Sequence, residues 1–241
     1  NYIQRYLNTI LYIVMTDLIQ TLHYITVATK PHPVLEDIKL HVNNNKEQLT
    51  ILGLQENRNI GWAGNANFGI KLREVQNYLN DRRIRPQDIV LLTDAYDIIY
   101  CGSLKEIMKR YLDMDKPIVF GCETKCHPDK EKSLLYPKLD VEFPYLNSGM
   151  YIGQAWALRY CLSDYKYNDA DDDQRFWTHK FLNYPSLIGL DYENKLFLNT
   201  EGVKLEEIIL KDDVASYKNS NPQFIHINGP DKTQINNFTK K

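Results

Sequence analysis

The stretch I-V-L-L-T-D-A-Y-D-I-I-Y, residues Ile89–Tyr100, decides how this chain folds. Ile89–Leu92 are four consecutive apolar residues, which predicts a strand buried on both faces of a mostly parallel sheet. The run then breaks into Asp94 and Asp97, with Tyr96 between them, and turns apolar again. Carboxylates at the carboxyl end of such a strand stand where open α/β sheets bind ligands. A solvated turn is the competing reading, since Asp is common in turns.

Working outward, helix and strand patterns alternate. Leu22–Thr29 is rich in β-branched residues and predicts a strand. Pro33 opens a helix through Val42, and Leu49–Leu54 is a second strand. A polar loop, Glu56–Asn67, holds Gly61, Trp62 and Gly64 and is a candidate lid. A helix with Phe68, Leu72, Val75 and Leu79 in phase leads to the Ile89 strand. Beyond it, Ser103 and Glu106 form a capping box ahead of a helix, and Pro117–Gly121 is a short strand. This order predicts a doubly wound α/β sheet. Cys122–Pro144 reads as a long ordered loop, a kind that is usually functional. Tyr145–Gly153 is a strand, Ala155–Cys161 a helix, and Asp169–Leu182 a helix with acids at its start. Leu187–Asp191, Leu196–Asn199 and Gln223–Asn228 are short strands.

At 241 residues the chain is long enough for one α/β domain, assigned to residues 22–241. Residues 1–21 form a separate N-terminal arm, with Ile3, Leu7, Ile10 and Val14 at helical spacing. That helix could pack on its own domain or on a second copy, giving a homodimer. A formal charge of −2 gives no reason to expect a nucleic-acid partner. Four cysteines are too few for a disulfide scaffold, and their spacing does not suit a zinc site. No apolar run reaches membrane-spanning length and no signal-peptide pattern is present, which favours cytoplasm over a secretory lumen.

Several constellations could carry chemistry. Asp94 and Asp97 can reach one cation through hard oxygens that suit Mg²⁺ or Mn²⁺, with Tyr96 offering a flat face to a base. Asp169 and the run Asp171-Asp172-Asp173-Gln174 crowd like charges together. One or two acids would offset a helix dipole; four in five positions point to a functional site. His226-Ile227-Asn228-Gly229-Pro230 ends a strand on a tight turn, where a neutral imidazole can complete a metal site. Asn147-Ser148-Gly149 places an amide and a hydroxyl beside a glycine that permits close backbone approach. No nucleophile elbow, P-loop or G-x-G-x-x-G is present, which removes serine hydrolases, Walker ATPases and dinucleotide oxidoreductases.

Taken in order, the motifs I-T-V-A-T (Ile25–Thr29), T-D-A-Y-D (Thr93–Asp97), C-H-P (Cys126–Pro128), L-N-S-G (Leu146–Gly149), D-D-D-Q (Asp171–Gln174) and H-I-N-G-P (His226–Pro230) carry a family likeness. From about Leu22 onward the chain resembles the glycosyltransferase domain of the multifunctional collagen lysyl hydroxylases and related collagen glucosyl/galactosyltransferases. Nothing resembles their iron- and 2-oxoglutarate-dependent hydroxylase part. Giant DNA viruses carry such proteins, and the Asn, Ile and Lys content fits one.

The resemblance implies a GT-A fold, Mn²⁺ dependence and a UDP-hexose donor, UDP-glucose foremost. It implies that Asp94, Asp97 and His226 hold the metal with the diphosphate and that Tyr96 stacks on uracil. Val27, Thr29 and Lys71 would line the nucleotide, with Gly229 and Lys232 closing on the phosphates. Asp172 and Asp173 would serve the acceptor and the reacting sugar, beside Asn147 and Gln174. The implied acceptor is hydroxylysine, or galactosyl-hydroxylysine, of a collagen-like protein. Two departures stand out: His127 where relatives commonly have Trp, and Trp62-Ala63-Gly64-Asn65-Ala66 where they have a denser glycine run. They keep two alternatives open: the same donor chemistry on another acceptor glycan or protein, and a nucleotide-sugar-binding module without turnover.

Overall fold

The structure is a computed structural model that describes residues 20–61 and 67–239. The helix expected over residues 2–19, and with it the proposed dimer contact, lies outside the described residues, as does the segment from Trp62 to Ala66.

A six-stranded sheet forms the centre, in the order β2-β1-β3-β6-β5-β7. Its strands are β1 (Leu22–Val27), β2 (Thr50–Leu52), β3 (Ile89–Thr93), β5 (Ile118–Glu123), β6 (Tyr145–Gln154) and β7 (Ile188–Leu190). All five residues of β3 are buried. Ile89 and Leu91 point into one hydrophobic cluster and Val90 and Leu92 into the other, so the apolar run reflects burial on both faces. On the first face pack α1 (Pro33–Asn44) and α3 (Leu104–Leu112). On the second lie α2 (Gly69–Leu79), α4 (Ala155–Leu162) and α5 (Asp173–Asn183). This is the layered, doubly wound architecture the alternating pattern predicts.

The expectation of a mostly parallel sheet holds for three of its five pairings. β1 runs parallel to β2 and β3, and β5 to β7, but β6 is antiparallel to both β3 and β5. A register break interrupts the β5–β6 pairing. Phe120 opposes Tyr151, whereas Gly121 opposes Asn147, so Ser148–Met150 face no residue of β5.

Several predicted ends shift. The second strand stops at Leu52 because Gly53, at φ 86°, turns the chain into a 3₁₀ turn over Leu54–Glu56. The acid run mostly precedes its helix: α5 begins at Asp173, with the Asp172 side chain accepting from the backbone N–H of Arg175 as N-cap. Ser103 caps α3 in the same way through the N–H of Glu106.

A second sheet, β4-β11-β8, was not anticipated as a unit. It consists of β4 (Ile98–Tyr100), β8 (Phe197–Asn199) and β11 (Phe224–His226). β11 runs antiparallel to β4 and parallel to β8. The hairpin of β9 (Ile208–Lys211) and β10 (Val214–Tyr217) also escaped the sequence reading. No helix among the described residues is long and apolar enough to cross a membrane. The four cysteines are free and buried.

Candidate metal and substrate site

Two sheets converge on the T-D-A-Y-D turn. Asp94 leaves the end of β3, and its N–H donates to the Gly149 carbonyl of β6 (2.7 Å). Asp97 precedes β4. Because Ile98 pairs with His226 across β4 and β11, the imidazole arrives beside both carboxylates. Its Nε2 lies 3.2 Å from Asp97 Oδ2 and 3.7 Å from Asp94 Oδ2. One ligand atom from each of the three residues fits within 4.8 Å of the others. Two hard oxygens and an imidazole nitrogen suit a divalent ion such as Mn²⁺.

The parallel β8–β11 register sets Asn199 opposite His226, and His226 Nδ1–H donates to Asn199 Oδ1 (2.7 Å). The Asn199 amide is fixed in turn by donating to the Cys122 carbonyl (2.8 Å). With Nδ1 committed as donor, Nε2 is the nitrogen left facing the carboxylates, the outer arrangement that orients a metal-binding histidine. Replacing Asn199 with alanine is expected to lower Mn²⁺ affinity about 10- to 100-fold, the usual loss for an outer partner of a ligand. Calorimetric Mn²⁺ titration checks this, and unchanged affinity would remove Asn199 from the site.

Lys71 projects from α2 between Asp94 Oδ1 and Asp173 Oδ2, 2.6 Å from each. Burial pushes its ammonium toward neutrality, but the Asp173 and Asp94 carboxylates outweigh that and hold it above the ordinary lysine range. Lys232 Nζ donates to Asp97 Oδ2 (2.6 Å) and the Ile227 carbonyl (2.7 Å). Burial pushes the Asp97 carboxyl up, yet His226 and Lys232 more than offset it and hold Asp97 below the usual carboxylate range. The site is therefore a compact alternation of charge: Asp173, Lys71, Asp94, His226, Asp97, Lys232.

Toward β1, the Tyr96 hydroxyl accepts from the N–H groups of Thr29 (2.7 Å) and Lys30 (3.2 Å). These bonds fix a half-buried ring at the mouth of the sheet, with His32 stacked at a tilt 5.0 Å away. Val27 is buried in the main hydrophobic cluster, and Thr29 is fully buried. Gly229 is buried but uncrowded, with Glu201 the nearest side chain to a notional Cβ at 3.9 Å.

On the opposite side lies an amide-rich wall. Gln174 Nε2 donates to Glu123 Oε1 (2.6 Å) and the His127 carbonyl (2.9 Å), and its Oε1 accepts from the Ser148 N–H (3.2 Å). Asn228 Nδ2 donates to Glu123 Oε2 (2.8 Å). Asn147, also buried, accepts from the Gly149 N–H (2.9 Å). His127 Nε2 lies 3.5 Å from Glu201 Oε2. Asp172 and Asp173 are both buried, and Asp172 Oδ2 has no hydrogen-bond partner among the described residues. Burial raises the Asp172 carboxyl above the ordinary range, and the charge of Asp173 adds to the effect.

Sequence reasoning missed Glu123, Asn199 and Glu201, and read Asn228 only as part of a tight turn. Glu123 had a usable signal: like Asp94, it is a carboxylate at the carboxyl end of a buried apolar strand. Asn199 had none, because it gains its place only through the pairing with His226.

Burial pushes the Glu123 carboxyl up to about 8, with a further push from Glu201, against the amides of Gln174, Asn147 and Asn228. Its folded value is thus above the unfolded one, near 4.3. Between those values the folded chain holds a proton that the unfolded chain has lost, so this group makes stability fall as pH rises from about 5 to 8. Glu123→Gln, which cannot ionise, is expected to flatten the decline of Tm over that window. Parallel Tm–pH curves for the two proteins would contradict it.

The sequence pattern of the family described as PLOD GT domain matches residues 18–240. Procollagen-lysine,2-oxoglutarate 5-dioxygenase 1 of Pongo abelii is 29% identical over 222 residues, covering 88% of this chain and 30% of that protein. The multifunctional procollagen lysine hydroxylase and glycosyltransferase LH3 of Pongo abelii is 32% identical over 179 residues, covering 70% of this chain and 24% of that protein. The chain thus spans under a third of the length of these relatives. Among solved structures, a glycosyltransferase involved in the glycosylation of the major capsid of PBCV-1 shares the fold, with a TM-score of 0.50, 10% identity, and coverage of 90% of this chain and 98% of that one.

Proposed function

Because this chain belongs to the PLOD GT domain family, and is therefore a glycosyltransferase domain with a GT-A-like α/β fold, we propose that it moves a hexose, glucose foremost, from a UDP-sugar to hydroxylysine or galactosyl-hydroxylysine of a collagen-like protein, with Mn²⁺ as cofactor. The observation that carries this reading is the convergence of Asp94, Asp97 and His226 within 4.8 Å at the mouth of the sheet. The fit to a metal rests on the donor set and on Gly149, where any side chain would intrude on His226 and Asp94.

When bound, the metal supplies Lewis-acid stabilisation of the negative charge that grows on departing UDP. The remaining chemistry belongs to the chain. Tyr96, held by its hydroxyl, presents a rigid ring to the uracil. The Lys71 and Lys232 ammonium groups place further positive charge beside the diphosphate, fixed in advance by their carboxylate partners, with Lys71 also buried from water. Asp172 uses Oδ1 to cap α5 and leaves Oδ2 to accept from an acceptor hydroxyl. Its raised proton affinity suits it to take that hydroxyl's proton. Asp173, paired with Lys71, stands by the anomeric carbon, where positive charge develops. Asn147 and Gln174 serve the sugar hydroxyls.

His127, which faces Glu201, supports a second reading: the same donor chemistry directed to another acceptor glycan or protein. UDP release with a panel of UDP-sugars and Mn²⁺ tests both. Hydroxylysine-containing collagen peptide stimulating release above free sugars supports the first. Stimulation by free sugars alone supports the second, and no release with any donor and acceptor would overturn both.

A further inference from the structure

Asp169 stands apart from the rest of the acid run. Arg58 grips it with both arms of the guanidinium, Nη1 to Oδ2 at 2.7 Å and Nη2 to Oδ1 at 2.6 Å. The pair is one side of a closed circuit. Arg58 Nε donates to Glu56 Oε2 (3.0 Å), and Glu56 Oε1 accepts from Arg73 Nη2 (2.5 Å). The Arg73 guanidinium lies 4.7 Å from the centre of the Tyr167 ring, and the Tyr167 hydroxyl donates to Asp169 Oδ1 (2.9 Å).

Backbone contacts extend the circuit toward both halves of the site. Thr29 Oγ1 donates to the Arg58 carbonyl (2.6 Å), and Thr29 also holds the Tyr96 hydroxyl. The N–H of Gly69, first residue of α2, donates to the Asp169 carbonyl (3.3 Å). That approach is so close that a Cβ on Gly69 would fall 1.9 Å from the Asn168 oxygen. Two residues after Gly69 comes Lys71, which meets Asp173, and three residues after Asp169 comes Asp172.

Stability is not a full explanation of the circuit. Arg58 and Asp169 retain 31% and 43% side-chain exposure, so solvent screens much of their attraction. Fixed geometry remains: a bidentate, hydrogen-bonded pair holds two segments at one separation and angle. We propose that Arg58 and Asp169 are positioning residues for sugar transfer. They strap the exit of β2 to the approach to α5, so that Asp172 and Asp173 keep their places against the donor bound at Tyr96. The proposal rests on the glycosyltransferase reading above.

The test uses the chain with Mn²⁺ and whichever UDP-sugar the wild type turns over. Asp169→Asn and Arg58→Ala are each expected to lower kcat about 10- to 100-fold, as a displacement near 1 Å does. KM for the donor and calorimetric affinity for UDP with Mn²⁺ should stay at wild-type values. Combining the two changes should cost no more than either alone, because they remove one interaction. The charge exchange Arg58→Asp with Asp169→Arg should recover part of kcat. A kcat within twofold of wild type, additive losses, or a fall in UDP affinity matching that in kcat would overturn the proposal. An inactive wild type would instead overturn the reading of function, which separates the two failures. Should Arg58→Ala unfold, Arg58→Lys is expected to fold with intermediate kcat; wild-type kcat there would also count against the strap.

Discussion

Asp97→Ala will abolish Mn²⁺-dependent UDP binding and lower turnover about 10³-fold, the upper range for loss of one preorganised contact to a departing anion. Asp97 is shared between two basic neighbours. It faces His226 Nε2 at 3.2 Å and Lys232 Nζ at 2.6 Å, so its removal strips a ligand and also frees the two groups it orients. The two positive or proton-binding neighbours would then face each other without the anion between them. Asp97→Asn is expected to fold with a Tm below that of wild type and to lose metal affinity, because the amide keeps the shape and discards the charge that His226 and Lys232 meet. Titration of Mn²⁺ into each variant, followed by UDP, reads the binding, and UDP release reads the turnover. Wild-type release by either variant would remove the metal assignment.

Gly149→Ala is expected to damage the same centre without touching a ligand. A Cβ there would lie 2.3 Å from His226 Cε1, 2.8 Å from its Nδ1 and 2.9 Å from Asp94 Oδ2. The imidazole cannot yield easily, since Asn199 holds Nδ1 and the register of β11 holds the backbone. Overpacking of this kind costs about 1–3 kcal/mol. Relief by rotating His226 would lower Mn²⁺ affinity on the order of 10²-fold, as disturbed ligand orientation does. The expected signature is a modest fall in Tm with a large fall in metal affinity. Equal affinity to wild type would show that the crowding is relieved elsewhere.

The parts of the site legible in the sequence were those with local causes. Asp94 and Asp97 could be found because an apolar run ends on them, whereas Lys71 had no local signal and was implied only by the family resemblance. The acid run was visible too, but not its division of labour. Asp172 caps a helix, Asp173 meets Lys71, and Asp169 belongs to Arg58, a partner 111 residues away in the chain. Asn199 was silent for the same reason, since pairing across strands gives it its partner. Two strands of the second sheet were read from the sequence, but their union with β4 was not. It joins segments about 100 residues apart, and three-residue strands carry no periodic signal to pair them. The antiparallel course of β6 left no mark either, as a strand buried on both faces looks alike in either direction.

The register break between β5 and β6 has a consequence for how this domain can change over evolutionary time. Ser148–Met150 bow out of step with β5, and Gly121 on the other side of the break is crowded by Asn199 and Phe197 of the second sheet. The break is thus the seam along which one sheet is notched to admit the other. Because strand faces alternate with every residue, losing one residue at the notch would turn Asn147 and Gly149 to opposite sides together. The loop from 124 to 144 enters on the far side of that notch and can lengthen or shorten without altering its count. Variation in what the domain accepts is therefore expected to collect in that loop, while length along β6 stays invariant.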